Sequence, residues 1–142
     1  MPNPSNSFCL SVGVGRRPTE AGDPELDVEA FAITATDAGY IKTALVSYFK
    51  MPDENIEVLA NETARKDNIV TALQGLSKKT KANKADLVVI YFSGHGCKIG
   101  DEYFLVTNDS KKNNIPEKGI NGNLFTTLLN DNNADKMLVL LD

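Results

Sequence analysis

The chain has 142 residues, enough for one domain with a real hydrophobic core and too few for most two-domain proteins. Its 42% hydrophobic and 24% charged content is that of a soluble globular protein, and a net charge of -4 with a pI near 5.0 argues against a general nucleic-acid binder. No stretch approaches the roughly 18 apolar residues of a membrane span, and MPNPSNSF lacks the basic and apolar regions of a signal peptide, so a cytoplasmic location without membrane or nucleic-acid partners is expected.

Residues 1–7 are polar, carry two prolines, and read as a flexible lead-in to a buried strand from Phe8 to Val14, FCLSVGV. Cys9 reads as a small apolar filler of that strand. Gly15 to Asp27 (GRRPTEAGDPELD) is rich in glycine, proline and charge, the composition of a surface loop on which Arg16 and Arg17 are solvated. Thr36 is placed to cap a helix running to about Lys50. On it Ala38, Ile41, Leu45 and Tyr48/Phe49 share one face while Lys42 and Ser47 face out, and Met51-Pro52-Asp53 ends it. Ile56 to Ala60 reads as a second strand. Thr63 is placed to cap a second helix with Ile69, Leu73 and Leu76 as its apolar stripe, and Gly75 with Lys78-Lys79-Thr80-Lys81 as its fraying, solvated end.

A third strand, Leu87 to Phe92, runs into Ser93-Gly94-His95-Gly96 and then a hairpin arm from Glu102 to Thr107. Asn108 to Gly122 is polar and turn-rich and reads as a long loop. Leu124, Phe125, Leu128 and Leu129 mark a third short helix, and Met137 to Leu141 a fourth strand. There are no internal repeats.

Strands that are apolar throughout and alternate with amphipathic helices predict a single α/β domain, doubly wound, with a mostly parallel sheet covered by helices on both faces. In such sheets the crevice lies beyond the carboxyl ends of the strands, where His95 follows strand three and Asp142 ends strand four. If strand four lies outermost, its Met-Leu-Val-Leu-Leu run leaves an unusually apolar edge open, which predicts a fragment or a sheet completed by further chain, and self-association of the isolated polypeptide.

His95 is the only histidine. Between two glycines at a strand end, its imidazole is placed either to reach a ligand or merely to cap the strand. Cys9 and Cys97 are too few for a disulfide framework, and one histidine gives no zinc spacing, so free thiols and no metal or other cofactor are expected.

IYFSGHG after a strand, EYFLV beyond it and a strand ending KMLVLLD resemble the large-subunit part of the caspase-like cysteine peptidases, most closely metacaspases and their bacterial relatives. The resemblance covers nearly the whole chain. FCLSVGV is similar to the family's first strand, Thr36-Asp37-Ala38 to its Asn-Asp-Ala helix start with threonine in place of asparagine, and Thr63 to Ile69 to its Ala-Thr-Arg-x-x-Ile segment. It implies a caspase-like fold and a catalytic role for His95, with Gly94 and Gly96 as either oxyanion donors or loop backbone. The family's nucleophile follows strand four in Asp-x-Cys-His-x-Gly, and Asp142 is similar to the first residue of that motif, so the chain is expected to hold the histidine and not the cysteine, and to be inactive alone.

In metacaspases the pocket for the residue before the scissile bond is lined by positions that match Asp37, Ser93 and Asp142 here. Two carboxylates around one pocket favour a guanidinium or ammonium group and repel an aspartate, so protein or peptide substrates cut after Arg or Lys are implied. Arg16-Arg17, Lys78-Lys79 and Lys111-Lys112 are then candidate self-processing points. Some metacaspases bind calcium, yet Asp101, Glu102, Asp109 and Asp131 show no calcium-loop spacing.

Other readings stay open. Asp37 also suits a first helical turn and Asp142 a strand end, and Cys97, two residues past His95, is either a substitute nucleophile or an exposed loop thiol. A non-catalytic caspase-homologous interaction module is the alternative to the peptidase. A phosphoryl-accepting receiver-like domain needs an acidic cluster after strand one, which FCLSVGVGRR does not supply.

Overall fold

Side chains along a strand point alternately to the two faces of its sheet, and the first strand, β1 (Ser7–Gly13), is buried on both. Leu10 and Val12 face one layer of helices, whereas Cys9 and Ser11 face another. There follow α1 (Val28–Ala44), continued by a π-helical turn Leu45–Phe49, then β2 (Ile56–Ala60), α2 (Lys66–Ala82), β3 (Ala85–Ser93), β4 (Gly96–Ile99) and β5 (Glu102–Leu105). The remaining elements are α3 (Ile115–Lys118), β6 (Ile120–Asn121), α4 (Gly122–Asn130) and β7 (Ala134–Leu141). This computed structural model describes residues 1–15 and 28–142, the side chains of 28–32 excepted, so the expected loop is outside the described residues from Arg16 onward.

The expected doubly wound α/β layout is present. A parallel sheet runs in the order β2-β1-β3-β7, and β4, β5 and β6 make a smaller antiparallel one. Ile41 and Leu45 with the following turn cover Cys9, Ile56 and Val89 on one face. On the other face Ile69, Leu73, Leu76 and Phe125 from α2 and α4 cover Leu10, Val12, Val88, Ile90 and Phe92. The chain leaves β1 toward β2 and returns past it to β3, so the strand order reverses between β1 and β3, the position at which doubly wound sheets place their crevice, beyond the carboxyl ends.

Several local expectations are revised by contacts distant in sequence. Thr36 does not cap α1; it lies exposed inside a helix that begins at Val28. Tyr48 is 88% exposed instead of buried, because the π turn holds an extra residue and rotates Val46 and Phe49 inward. The hydroxyl of Thr63 accepts from the Ala60 N–H at 2.9 Å and closes a turn, while the start of α2 is capped from 43 residues away: the Lys66 N–H donates to Asp109 Oδ1 at 3.2 Å. Nor does α2 fray at Lys78 to Lys81. Thr80 is fully buried and accepts from the Asn133 N–H at 3.1 Å, and Asp131 binds both Lys81 and Ser77. These partners, Lys81 first, hold the Asp131 carboxyl below its ordinary range.

The long loop expected after Asn108 contains α3 and β6, whose pairing with β5 sets Leu105 against Ile120. Part of the lead-in, Pro4–Asn6, forms a tight turn tied to β3: the Asn3 N–H and Asn6 Nδ2 donate to Asp86 at 2.8 and 2.7 Å. Those bonds, that of Asn3 foremost, keep the Asp86 carboxyl below its usual value. Among the described residues no helix is long and apolar enough to cross a membrane.

β7 is an edge strand in this sheet, with Met137, Leu138, Val139 and Leu140 between 36% and 47% exposed and Leu141 at 60%. An apolar edge with open backbone groups pairs with other chains. Residues 1–142 alone should therefore self-associate on concentration, and a clean monomer by light scattering would contradict this.

Candidate active site

Three main-chain bonds assemble the crevice. The Val14 N–H donates to Ser93 O at 2.9 Å, the Asp142 N–H to Phe92 O at 2.9 Å, and the Gly94 N–H to Asp142 O at 3.0 Å. With Gly13 in register with Ser93 and Leu141 with Phe92, Ser93 stands between Gly13 and Asp142 in one row across the carboxyl end of the sheet. Ser93 is buried and Asp142 is exposed.

α1 brings Asp37 to the same end. The hydroxyl of buried Ser11 donates to Ala38 O at 2.8 Å, and the helix backbone rests directly on Gly13. A Cβ there would lie 2.3 Å from Thr34 O and 2.8 Å from Ala35 Cα, so only glycine lets the helix sit this close.

Tyr91, read from sequence only as part of an apolar strand, joins these groups. It is two residues from Ser93 on β3, hence on the α1 face, and its hydroxyl donates to Asp142 Oδ2 at 3.3 Å. Burial raises the Tyr91 phenol above its ordinary pKa; a hydrogen bond with Ser93 opposes this, and the negative charges of Asp142 and Asp37 add to it. Of the residues singled out separately in the sequence, Asp142 and Ser93 are hydrogen-bond partners of this phenol, and Asp37 acts on it through its charge. The available signal was a tyrosine at alternating spacing from the strand-end serine, since a buried hydroxyl needs a partner.

His95 follows directly, exposed, with its carbonyl accepting from the Val106 N–H at 2.8 Å. The flanking glycines differ. A Cβ on Gly94 would press on Val14 and the Phe92 ring at 3.1 and 3.2 Å, whereas one on Gly96 would meet Phe104 O at an ordinary 3.6 Å. The Gly94 N–H, engaged by Asp142 O, secures the strand end.

Neither cysteine is in a disulfide. Cys9 lies in the sheet between Ile56 and Val89, and burial pushes its thiol up to about 12. Cys97 is half-buried on β4 opposite Phe104. Of the acids weighed for calcium, Asp109 caps α2 and accepts from Thr107 Oγ1 at 2.8 Å, Asp131 is paired as above, Glu102 accepts from Asn121 Nδ2 at 2.8 Å, and Asp101 is exposed in the β4–β5 turn. Among the described residues no three His, Cys, Asp or Glu side chains cluster to hold a metal ion. A groove of about 280 Å³ between β2 and α2, floored by Phe8, Leu10 and Leu59, is lined by none of the crevice residues.

The model of the caspase domain family, peptidase C14, matches residues 7–142. The chain belongs to the caspase-domain family. No curated protein matches it. The match runs through both strands that build the crevice and through the Ser93-Gly94-His95-Gly96 turn, so the fold and the peptidase class of this caspase domain agree with the resemblance in its sequence.

Two outcomes follow. Gly13→Ala should destabilise the domain by about 1–3 kcal/mol, because the clash is with backbone and only a shift of α1 relieves it; thermal or denaturant unfolding measures this. Cys9, with a thiolate fraction of about one part in ten thousand at pH 8, should resist alkylation in the folded protein and react only on unfolding, as peptide mass mapping would show.

Proposed function

We propose that this caspase domain serves a cysteine endopeptidase that cleaves protein or peptide chains after Arg or Lys. The observation that supports the reading is the Asp142 carboxylate on the Tyr91 hydroxyl next to buried Ser93, at the strand ends where α1 also brings Asp37 and where the exposed His95 follows. Two negative charges sharing a small site are mutually unfavourable until a cation lies between them. A guanidinium or ammonium side chain supplies one, with charge-assisted hydrogen bonds, and an aspartate would add a third like charge.

His95 acts as the base partner. The imidazole keeps a cysteine thiol ionised, the thiolate attacks the scissile carbonyl, and the imidazolium returns its proton to the leaving amine. Water activated by the same imidazole then releases the acyl group. Cys9 is unsuited as nucleophile: it is buried in the sheet with its thiol held protonated. The attacking thiol in this proposal comes from a cysteine that follows Asp142, as the family's Asp-x-Cys-His-x-Gly pattern implies, within the remainder of the caspase fold. Of the candidate self-processing points, Lys78-Lys79 lies within α2 and Lys111-Lys112 between β5 and α3; a protease needs extended backbone, so the latter is the better substrate.

In the full-length protein His95→Ala should lower kcat/KM by about 10²–10⁴-fold, and Asp37→Ala should lower it by about 10–100-fold on Arg and Lys substrates through loss of a charged hydrogen bond. Fluorogenic peptides ending in Arg, Lys or Asp measure both effects. Turnover of Asp peptides in preference to Arg peptides would remove the basic-pocket reading, and no turnover of any peptide would favour a non-catalytic module.

A further inference from the structure

The pocket proposed above leaves one group unassigned. Tyr91 is a buried hydroxyl on the pocket face with one oxygen of Asp142 in reach: its O–H donates to Oδ2 at 3.3 Å, while Ser93 shares the phenol from the same strand. The backbone of Asp142 is held on both sides by Phe92 O and the Gly94 N–H, so the remaining freedom of this residue is rotation of its carboxylate. A neutral phenol on Oδ2 restrains that rotation and engages one of the two oxygens.

We propose that Tyr91 is a specificity-determining residue, which fixes the Asp142 carboxylate with Oδ1 open and Oδ2 partly engaged and so sets the balance between lysine and arginine at the residue before the scissile bond. A planar guanidinium binds a carboxylate best through two parallel N–H···O bonds, whereas an ammonium is a point charge that needs only one well-placed oxygen. With Oδ2 already accepting from the phenol, Asp142 keeps Oδ1 fully open for an ammonium and offers a guanidinium a second oxygen whose acceptor capacity is partly used. Asp37, which also acts on the phenol, supplies charge to either. The inference rests on the basic-pocket reading and adds to it which basic residue the site favours.

The test compares Tyr91→Phe with the unsubstituted full-length protein on matched peptides that differ only in Arg or Lys before the cleaved bond. The substitution should raise KM for the Lys peptide about 5-fold through loss of a placed acceptor, leave KM for the Arg peptide unchanged or lower, and leave kcat within about 2-fold, so that selectivity moves toward Arg. A merely structural role lowers activity on both peptides in proportion; that result, or a shift toward Lys, overturns the proposal. On an Asp142→Asn background the same substitution should leave the ratio unmoved. If the unsubstituted protein cleaves neither basic peptide, the pocket reading falls and this inference falls with it; if it cleaves both and Tyr91→Phe does not alter their ratio, only the role of Tyr91 is refuted.

Should Tyr91→Phe fail to fold, fluorotyrosine incorporation keeps the hydroxyl in place. One fluorine resonance should then move both on binding of benzamidine, an amidinium probe, and in Asp142→Asn. No resonance responding to both would overturn the coupling.

Discussion

The hydrogen bonds joining Val14, Phe92, Ser93, Gly94 and Asp142 bring three segments, far apart in the chain, to one line at the end of the sheet. Each is a main-chain bond in a parallel ladder, so none depends on which side chains stand there. What they set is register. Because side chains alternate with a period of two, a slip of one residue between β3 and β7 would turn Asp142 away from Tyr91. Burial of Val88, Ile90 and Phe92 under α2 and α4, and of Val89 under α1, penalises that slip on both faces. The site is thus held by the same packing that holds the sheet.

On that frame the electrostatics follow from position. Parallel strands direct their carboxyl ends to one edge, and the rest of α1 carries Asp37 to it because Gly13 admits the helix backbone at close range. Two acids then act on one buried phenol, whose pKa burial raises first and those charges raise further, and which donates to Asp142. The exposed histidine stands at the next turn of the chain, braced through its carbonyl by Val106.

Much of this was legible from residue pattern, and the failures have a common cause. Continuous apolar runs located β1, β2, β3 and β7 to within one to three residues, since a strand buried on both faces has little choice of side chain. Helix ends were misjudged wherever the cap came from elsewhere: Asp109 serves α2 from beyond β5, and the Asp131 to Asn133 turn holds its far end. Tyr48 was misplaced because a π turn breaks the 3.6-residue period on which the prediction rests. The β6 pairing escaped notice because a two-residue strand has no periodicity to read.

For function, the sequence by itself determined the chemical vocabulary: a lone histidine between glycines after an apolar strand, acids at positions 37 and 142, a serine at 93, and thereby the family. It could do so because those features are local in the chain. Packing alone settles that Ser93 and Asp142 lie side by side, that Tyr91 donates to Asp142, that Cys9 is buried and that Asp109 is a helix cap. Those facts depend on strand order and on which face each residue takes, and both are properties of the packed sheet instead of any one segment.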